Sequence, residues 1–207
     1  MQKITMDDIE KIFRHRRTTT VGDHNFFAVL VPLVKHQEGW ALLYEVRGKN
    51  LQRQPGEICF PGGAMEEGET PLQCATREAC EELGVEREAI RVISKLDTLH
   101  TVSNFTIYCY LGELDTTHME INTHEVESTF AVPLEFLIEN PPEMHYMDMM
   151  PRVDDGFPYE KIDFQEGYRF RQGKADIPIY QFEDKVIWGI TARITDNFIQ
   201  VLEGKKR

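Results

Sequence analysis

The sequence predicts one α/β domain, and three observations carry that expectation. Two apolar runs have strand length, at 26–34 and 40–46; a helix at 71–83 is bracketed by its own cap residues; and a second helical pattern closes the chain at 189–202. With 207 residues, 41% hydrophobic and 28% charged, the chain can bury one sizeable core, so a single domain over 1–207 suits it better than two.

Residues 5–16 read as an N-terminal helix, with Thr5 as N-cap and Ile9, Ile12 and Phe13 spaced along one face. The run "FFAVLVPLV" is too short to cross a bilayer and contains Pro32, so it reads as a buried strand. Residues 40–46 follow across the turn-like "KHQEG" as the second arm of a hairpin. Residues 49–69 look irregular. After the helix at 71–83 come strands at 90–96 and 104–111, a polar loop "TTHMEINTHEVE" and the apolar "STFAVPLEFL". From 141 to 173 the pattern is broken by Pro141, Pro142, Pro151, Gly156, Pro158 and Gly167, around Met144, Met147, Met149 and Met150; this reads as an irregular insertion or covering loop. "IPIYQF" and "KVIWGI" flank the short turn "ED" as a hairpin, and the closing helix sets Ile190, Ile194, Phe198 and Val201 on one face.

The formal charge of −12 argues against nonspecific binding to nucleic acid or to a membrane surface, since a polyphosphate backbone would be repelled. The basic cluster Arg14, Arg16 and Arg17 reads as a solvated helix end, where cations offset the C-terminal dipole. Cys59, Cys74, Cys80 and Cys109 contain no C-x-x-C pair and read as small buried hydrophobes rather than as a zinc or disulfide set. The opening "MQKITMDDIEKIFRHRR" spreads its charges through a helical pattern and lacks a secretory signature, so the expected compartment is the cytoplasm.

The helix at 71–83 holds the most informative chemistry. Thr70 before Pro71 is a strong start, Gln73 completes a Thr-x-x-Gln capping box, and Gly84 can terminate the helix in the left-handed conformation. At about 100° per residue, Glu78, Glu81 and Glu82 fall within roughly a 100° arc, next to a packing sector of Leu72, Ala75, Ala79 and Leu83. Three acids in the C-terminal half of a helix oppose both one another and the dipole. Carboxylate oxygens converging from one face suit a hard divalent cation such as Mg2+ or Mn2+.

Gly63, five residues, Glu69, seven residues and then Arg77-Glu78-x-x-Glu81-Glu82-x-Gly84-Val85 resembles the Nudix box, the signature of hydrolases that cleave a nucleoside diphosphate linked to another group. Only Ala79 departs, standing where a bulky aliphatic is usual. The resemblance implies an α/β/α sandwich with a mixed central sheet. It makes Glu78, Glu81 and Glu82 the metal-binding carboxylates, the Gly63 carbonyl a further ligand, Mg2+ or Mn2+ the cofactor, and Arg77 the residue that orients the carboxylates with Glu69 as its partner. The general base is left between Glu78 and Glu82 on the helix and Glu125 and Glu127 in "THEVES", with Glu125 ranked slightly ahead. Upstream, Arg47, Gly56 and Phe60-Pro61-Gly62-Gly63 resemble the signature of the coenzyme A diphosphatase subgroup, with Gln52 in place of arginine, Gly48 in place of serine or alanine, and Tyr44-Glu45 in place of leucine-threonine. This implies substrate contacts from Arg47, Arg53 and Gly62, and hydrolysis of CoA or its thioesters, with ADP-ribose or another nucleotide sugar as the rival substrate and a non-catalytic ligand-binding module as the rival class. The segment 144–150 is a candidate contact for the pantetheine or acyl arm. "IWGITARI" resembles the subgroup's closing segment, in which Trp188 is expected to pack on the sheet. The partner is then a small-molecule nucleotide, and a homodimer is common among related proteins.

Overall fold

The computed structural model describes residues 4–205, apart from 17, 19, 38, 165 and 166. Helix α1 (Met6–Phe13) starts where the cap chemistry predicts: Thr5 Oγ1 accepts from the Asp8 N–H, and the Asp8 carboxylate accepts from the Thr5 N–H at 2.9 Å. It is shorter than the expected 5–16, and none of its residues is buried, so the apolar face of Ile9, Ile12 and Phe13 lies open. Of the basic cluster, Arg14 pairs with Glu10 at 2.7 Å, and Arg17 lies outside the described residues.

Strands β1 (Asn25–His36) and β2 (Gly39–Arg47) form the predicted hairpin, but they pair with each other only near the turn, from Leu33 opposite Leu42 to His36 opposite Gly39. Beyond that they diverge. The end of β2 pairs with β3 (Ile58–Cys59), and the start of β1 pairs with β4 (Gly62–Ala64), so the stretch read as irregular crosses the gap as two short strands. Strands of two and three residues carry no readable alternation.

Helix α2 (Pro71–Leu83) follows, then β5 (Ile90–Lys95), β6 (Leu99–His100) and β7 (Phe105–Leu114). β7 lies parallel to β1, from Asn25 opposite Phe105 to Leu33 opposite Glu113, while the other pairings are antiparallel. The polar loop delivers β8 (Val126–Pro133) to the other side of β2, and α3 (Leu134–Glu139) takes up the rest of the apolar run. The sheet is therefore mixed, with central order β3-β2-β1-β7-β5.

The segment 141–173 is not irregular throughout. It contains β9 (Glu143–Met149), which pairs with β10 (Gly173–Phe182); β10 pairs in turn with β11 (Lys185–Trp188) across the predicted turn. Nearly every residue of β9 is exposed, so burial imposes no alternation that a sequence could display. Helix α4 (Gly189–Leu202) has the predicted bounds but a different inner face. Thr191, Ala192, Ile194, Thr195, Phe198 and Ile199 are buried, whereas Ile190 and Val201 are exposed. The threonines are held by hydrogen bonds: Thr195 Oγ1 donates to the Thr191 carbonyl and meets the buried Tyr44 hydroxyl at 3.0 Å.

Alternation along the central strands builds the layers. Leu30, Val34, Ala41 and Leu43 pack with Ala79 and Leu83 of α2; Val31, Leu42 and Tyr44 pack with Ala192, Ile194, Phe198 and Ile199 of α4. The result is an α/β/α sandwich. The four cysteines are free, and among the described residues no helix is long and apolar enough to cross a membrane.

Candidate active site

Both ends of α2 are fixed by local chemistry. Thr70 Oγ1 accepts from the Gln73 N–H, and Gln73 Oε1 accepts from the Thr70 N–H at 2.9 Å. Gly84 closes the helix at φ 60° and ψ 44°, and a Cβ there would lie 1.8 Å from the Glu120 carbonyl oxygen, so both conformation and space require glycine. With Ala75, Ala79 and Leu83 against the sheet, the three acids of the shared arc separate. Glu82 is buried at 4% exposure, Glu78 is mostly covered, and the Glu81 side chain is 57% exposed.

Arg77 organises this cluster. Its Nε and Nη2 donate to Glu69 at 2.9 and 3.2 Å in a two-pronged pair, while Nη1 donates to Glu78 Oε1 at 2.9 Å and to Glu81 Oε2 at 3.1 Å. Gly63 lies so close to Glu78 that a Cβ would meet its carboxylate at 2.3 Å. The Cys74 thiol donates to the Gly63 carbonyl at 3.5 Å, and the Gly62 N–H donates to Glu82 Oε2 at 2.8 Å. Strand β4, paired with β1 where it parts from β2, is thus joined to the acidic helix at two successive glycines.

A cleft of about 1170 Å³ opens beside this junction. Glu78, Glu82, Glu125, Arg47, Arg53, Gly62 and Gly63 all line it, whereas Arg77 and Glu81 stand outside its wall. Glu125 is held by its carbonyl, which accepts from the Gly48 N–H at 2.8 Å; Glu127 pairs instead with Lys49 at 2.5 Å. Arg53 faces the cleft and its neighbour Gln52 does not. Phe27, Val29, Phe105 and Ile107, which pack with the α4 cluster, also line the cleft, together with Trp188 and Ile190. Trp188, expected to pack on the sheet, is 48% exposed and lines the cleft, because β11 ends there before α4 begins. The methionine strand β9 contributes nothing to the cleft; Met144 lines a separate cavity of about 160 Å³.

Sequence reasoning missed Glu45. It appeared only as one of four residues departing from a subgroup pattern, with Tyr44, Gly48 and Gln52, yet it is 1% exposed on β2. Burial first, and then Glu82, push its carboxyl up to about 9, with Arg47 opposing and Glu125 and Glu78 adding to the rise. An acid ending the otherwise apolar run "WALLYE" was the available signal. Burial also drives Glu82 up to about 7, against the Gly62 hydrogen bond and with Glu78 and Glu125 adding to it. Glu78 is raised by burial against the pull of Arg77. Cys59 lines the cleft, but burial and then Glu45 hold its thiol up to about 12, so it is no thiolate nucleophile at neutral pH.

Among the described residues no three acidic, histidine or cysteine side chains stand ready as a closed metal cage. Mg2+ does not need one, since it keeps several waters and takes one or two carboxylates directly. Buried carboxylates raised by desolvation and by one another are the donor set whose charge a divalent cation would offset.

Residues 24–150 match the Nudix domain. The chain belongs to the Nudix hydrolase family. Within it, the chain is 30% identical over 166 residues to the peroxisomal coenzyme A diphosphatase NUDT7 of Mus musculus, covering 78% of this chain and 70% of that protein. It is also 30% identical over 180 residues to the mitochondrial coenzyme A diphosphatase NUDT8 of Homo sapiens, covering 84% and 68%. Nudix hydrolase 3 of Caenorhabditis elegans is 31% identical over 61% of this chain, which spans only 55% of that relative's length. A MutT/nudix family protein from Enterococcus faecalis shares the fold, with a TM-score of 0.55 at 12% identity over 97% of this chain and 70% of that one.

Proposed function

We propose that this Nudix domain hydrolyses the diphosphate of CoA or acyl-CoA, yielding 3′,5′-ADP and the corresponding 4′-phosphopantetheine, with Mg2+ or Mn2+ as cofactor. The observation that carries the reading is the mixed lining of one cleft: the acids Glu78, Glu82 and Glu125 together with apolar side chains that include Phe105 and Trp188. A charged diphosphate with an extended, weakly polar arm combines the same two characters. The two CoA diphosphatase relatives support the choice of substrate.

Glu78, Glu81 and Glu82 would hold the cation, with the Gly63 carbonyl beside them. Held there, a cation would supply the charge that neutralises the diphosphate, lowers the pKa of water and stabilises the leaving oxygen. Arg77 acts from outside the cleft by fixing Glu78 and Glu81 against Glu69. The Gly62 N–H fixes the rotamer of Glu82. Glu125, on the cleft wall without belonging to α2, takes the proton of the attacking water. Arg47 and Arg53 meet the phosphates, and Trp188 with Phe105 takes the apolar arm.

ADP-ribose or another nucleotide sugar is the second reading, favoured by Gln52, which replaces a signature arginine and lies off the cleft. Cytoplasmic placement is proposed with either substrate and rests on the sequence alone; the two mammalian relatives carry peroxisomal and mitochondrial in their names. The test is a panel of CoA, acetyl-CoA, ADP-ribose, dinucleotides and NADH with Mg2+ or Mn2+. A higher kcat/KM for CoA than for ADP-ribose is expected. The reverse order overturns the substrate, and no cleavage of any compound leaves a ligand-binding module instead.

A further inference from the structure

Glu45 has no task in the mechanism above, although its position is unusual for an acid. The alternation of β2 decides which way it faces. Ala41 and Leu43 pack with Ala79 and Leu83 of α2, whereas Leu42 and Tyr44 pack toward α4, so Glu45 projects to the side of the acidic helix. Its backbone is fixed from both flanks, opposite Cys59 on β3 and Thr129 on β8. The strand therefore cannot fray to release the side chain.

At 1% exposure, its Oε1 has no hydrogen-bond partner among the described residues. A buried carboxylate oxygen without a donor is costly unless a charge or a donor arrives to meet it. Arg47 is the neighbouring cation, yet its Nε is also buried without a partner, so the two have not closed a pair through that atom. Glu82, Glu125 and Glu78 are the acids that Glu45 feels. All three line the cleft, and so does Cys59, the register partner of Glu45 on β3.

We propose that Glu45 is a further carboxylate of the divalent-cation site, with its free Oε1 satisfied by the cation or by a water that the cation orders. The proposal rests on the metal-dependent reading above and extends it to a residue outside the Nudix box. A neutral, merely space-filling Glu45 would leave cation affinity untouched, so affinity separates the two roles.

The test titrates the full-length protein with MnCl2 alone, following free Mn2+ by electron paramagnetic resonance, for wild type, Glu45→Gln and Glu82→Gln, with metal-free melting measured alongside. Residues that support a metal site typically contribute about 10- to 100-fold in affinity, and Glu45→Gln is expected to weaken Mn2+ binding within that range. Its metal-free melting temperature should stay near wild type, because glutamine fills the same space and, like the protonated carboxyl that burial favours, carries no charge. Wild-type Mn2+ affinity in Glu45→Gln, with binding lost in Glu82→Gln, overturns the role of Glu45 and leaves the metal-dependent reading intact. Weaker binding accompanied by a lower metal-free melting temperature assigns Glu45 to the fold and also overturns the proposal. No Mn2+ binding by wild type removes the metal-dependent reading itself, and Glu45 with it. If Glu45→Gln loses cooperative melting, Glu45→Thr is titrated in its place against the same outcomes.

Discussion

Gly63→Ala tests the active-site geometry with the addition of one carbon. The new Cβ would stand 2.3 Å from both the carboxylate carbon and Oε1 of Glu78, where ordinary van der Waals contact begins at 3.4 Å. The carboxylate must therefore retreat by about 1 Å, a displacement that in an active site typically costs on the order of 100-fold in rate. Oε1 is also the acceptor of the Arg77 Nη1 bond at 2.9 Å, so the retreat pulls Glu78 off its orienting residue. A 100-fold loss corresponds to about 2.7 kcal/mol of transition-state stabilisation. Gly63 is not among the positive-φ glycines, so alanine meets no backbone penalty and the fold should persist. The assay pairs kcat/KM for CoA in saturating Mg2+ with the metal-free melting temperature. The expected result is a kcat/KM lower by about two orders of magnitude with melting nearly unchanged. Activity within about threefold of wild type would show that the Glu78 carboxylate does not need its position, and the geometric reasoning would fail.

Other expectations follow from the same contacts. Glu82→Gln and Glu81→Gln should each abolish most turnover while leaving the fold intact, and wild-type rates in both, measured by CoA hydrolysis, would remove them from the mechanism. Arg77→Lys keeps the charge but loses the two-pronged bond to Glu69, so kcat should fall with KM little altered; full rescue by lysine would reduce Arg77 to a point charge. Trp188→Ala should raise KM for CoA by roughly tenfold, near the worth of one large apolar contact, with kcat preserved; an unchanged KM would take the arm off that side. In EDTA, stability should fall as pH rises. Glu82 and Glu45 move from an ordinary 4.5 to about 7 and about 9, so the folded state holds protons that the unfolded state has released. Their favourable contribution is present below about pH 4.5 and lost through about pH 7 to 9, and Mg2+ should restore melting most in that upper window. A flat melting profile from pH 5 to 9 in EDTA, measured by fluorimetry, would contradict it.

What the sequence made legible was local. The caps of α2, the hairpin turns and the strand-length apolar runs act within a few residues, and each places an element close to its observed bounds. The Arg77–Glu69 pair was expected from the resemblance to the Nudix box, not from spacing, and the structure forms it at 2.9 Å. What escaped depends on partners distant in the chain. β3 and β4 exist because β1 and β2 diverge and leave edges to be paired, and nothing within residues 58–64 states that. β9 is defined by β10, about thirty residues further on, and carries no buried face of its own.

The same distinction explains why Glu45 and the helix acids differ in kind. Glu78, Glu81 and Glu82 are visible as a group because one turn of helix holds them, and their mutual repulsion can be inferred from spacing alone. Glu45 joins them only through the sheet: the period-two alternation of β2 turns it toward α2, and the pairing with β3 and β8 seals it there. A strand position that continues the series Ala41 and Leu43 would ordinarily take another apolar side chain, and an acid there lowers stability unless a positive charge enters. On the proposal that Glu45 belongs to the cation site, the charge of a divalent cation offsets that cost, adding to the pull of Arg47 among the acids Glu82, Glu125 and Glu78.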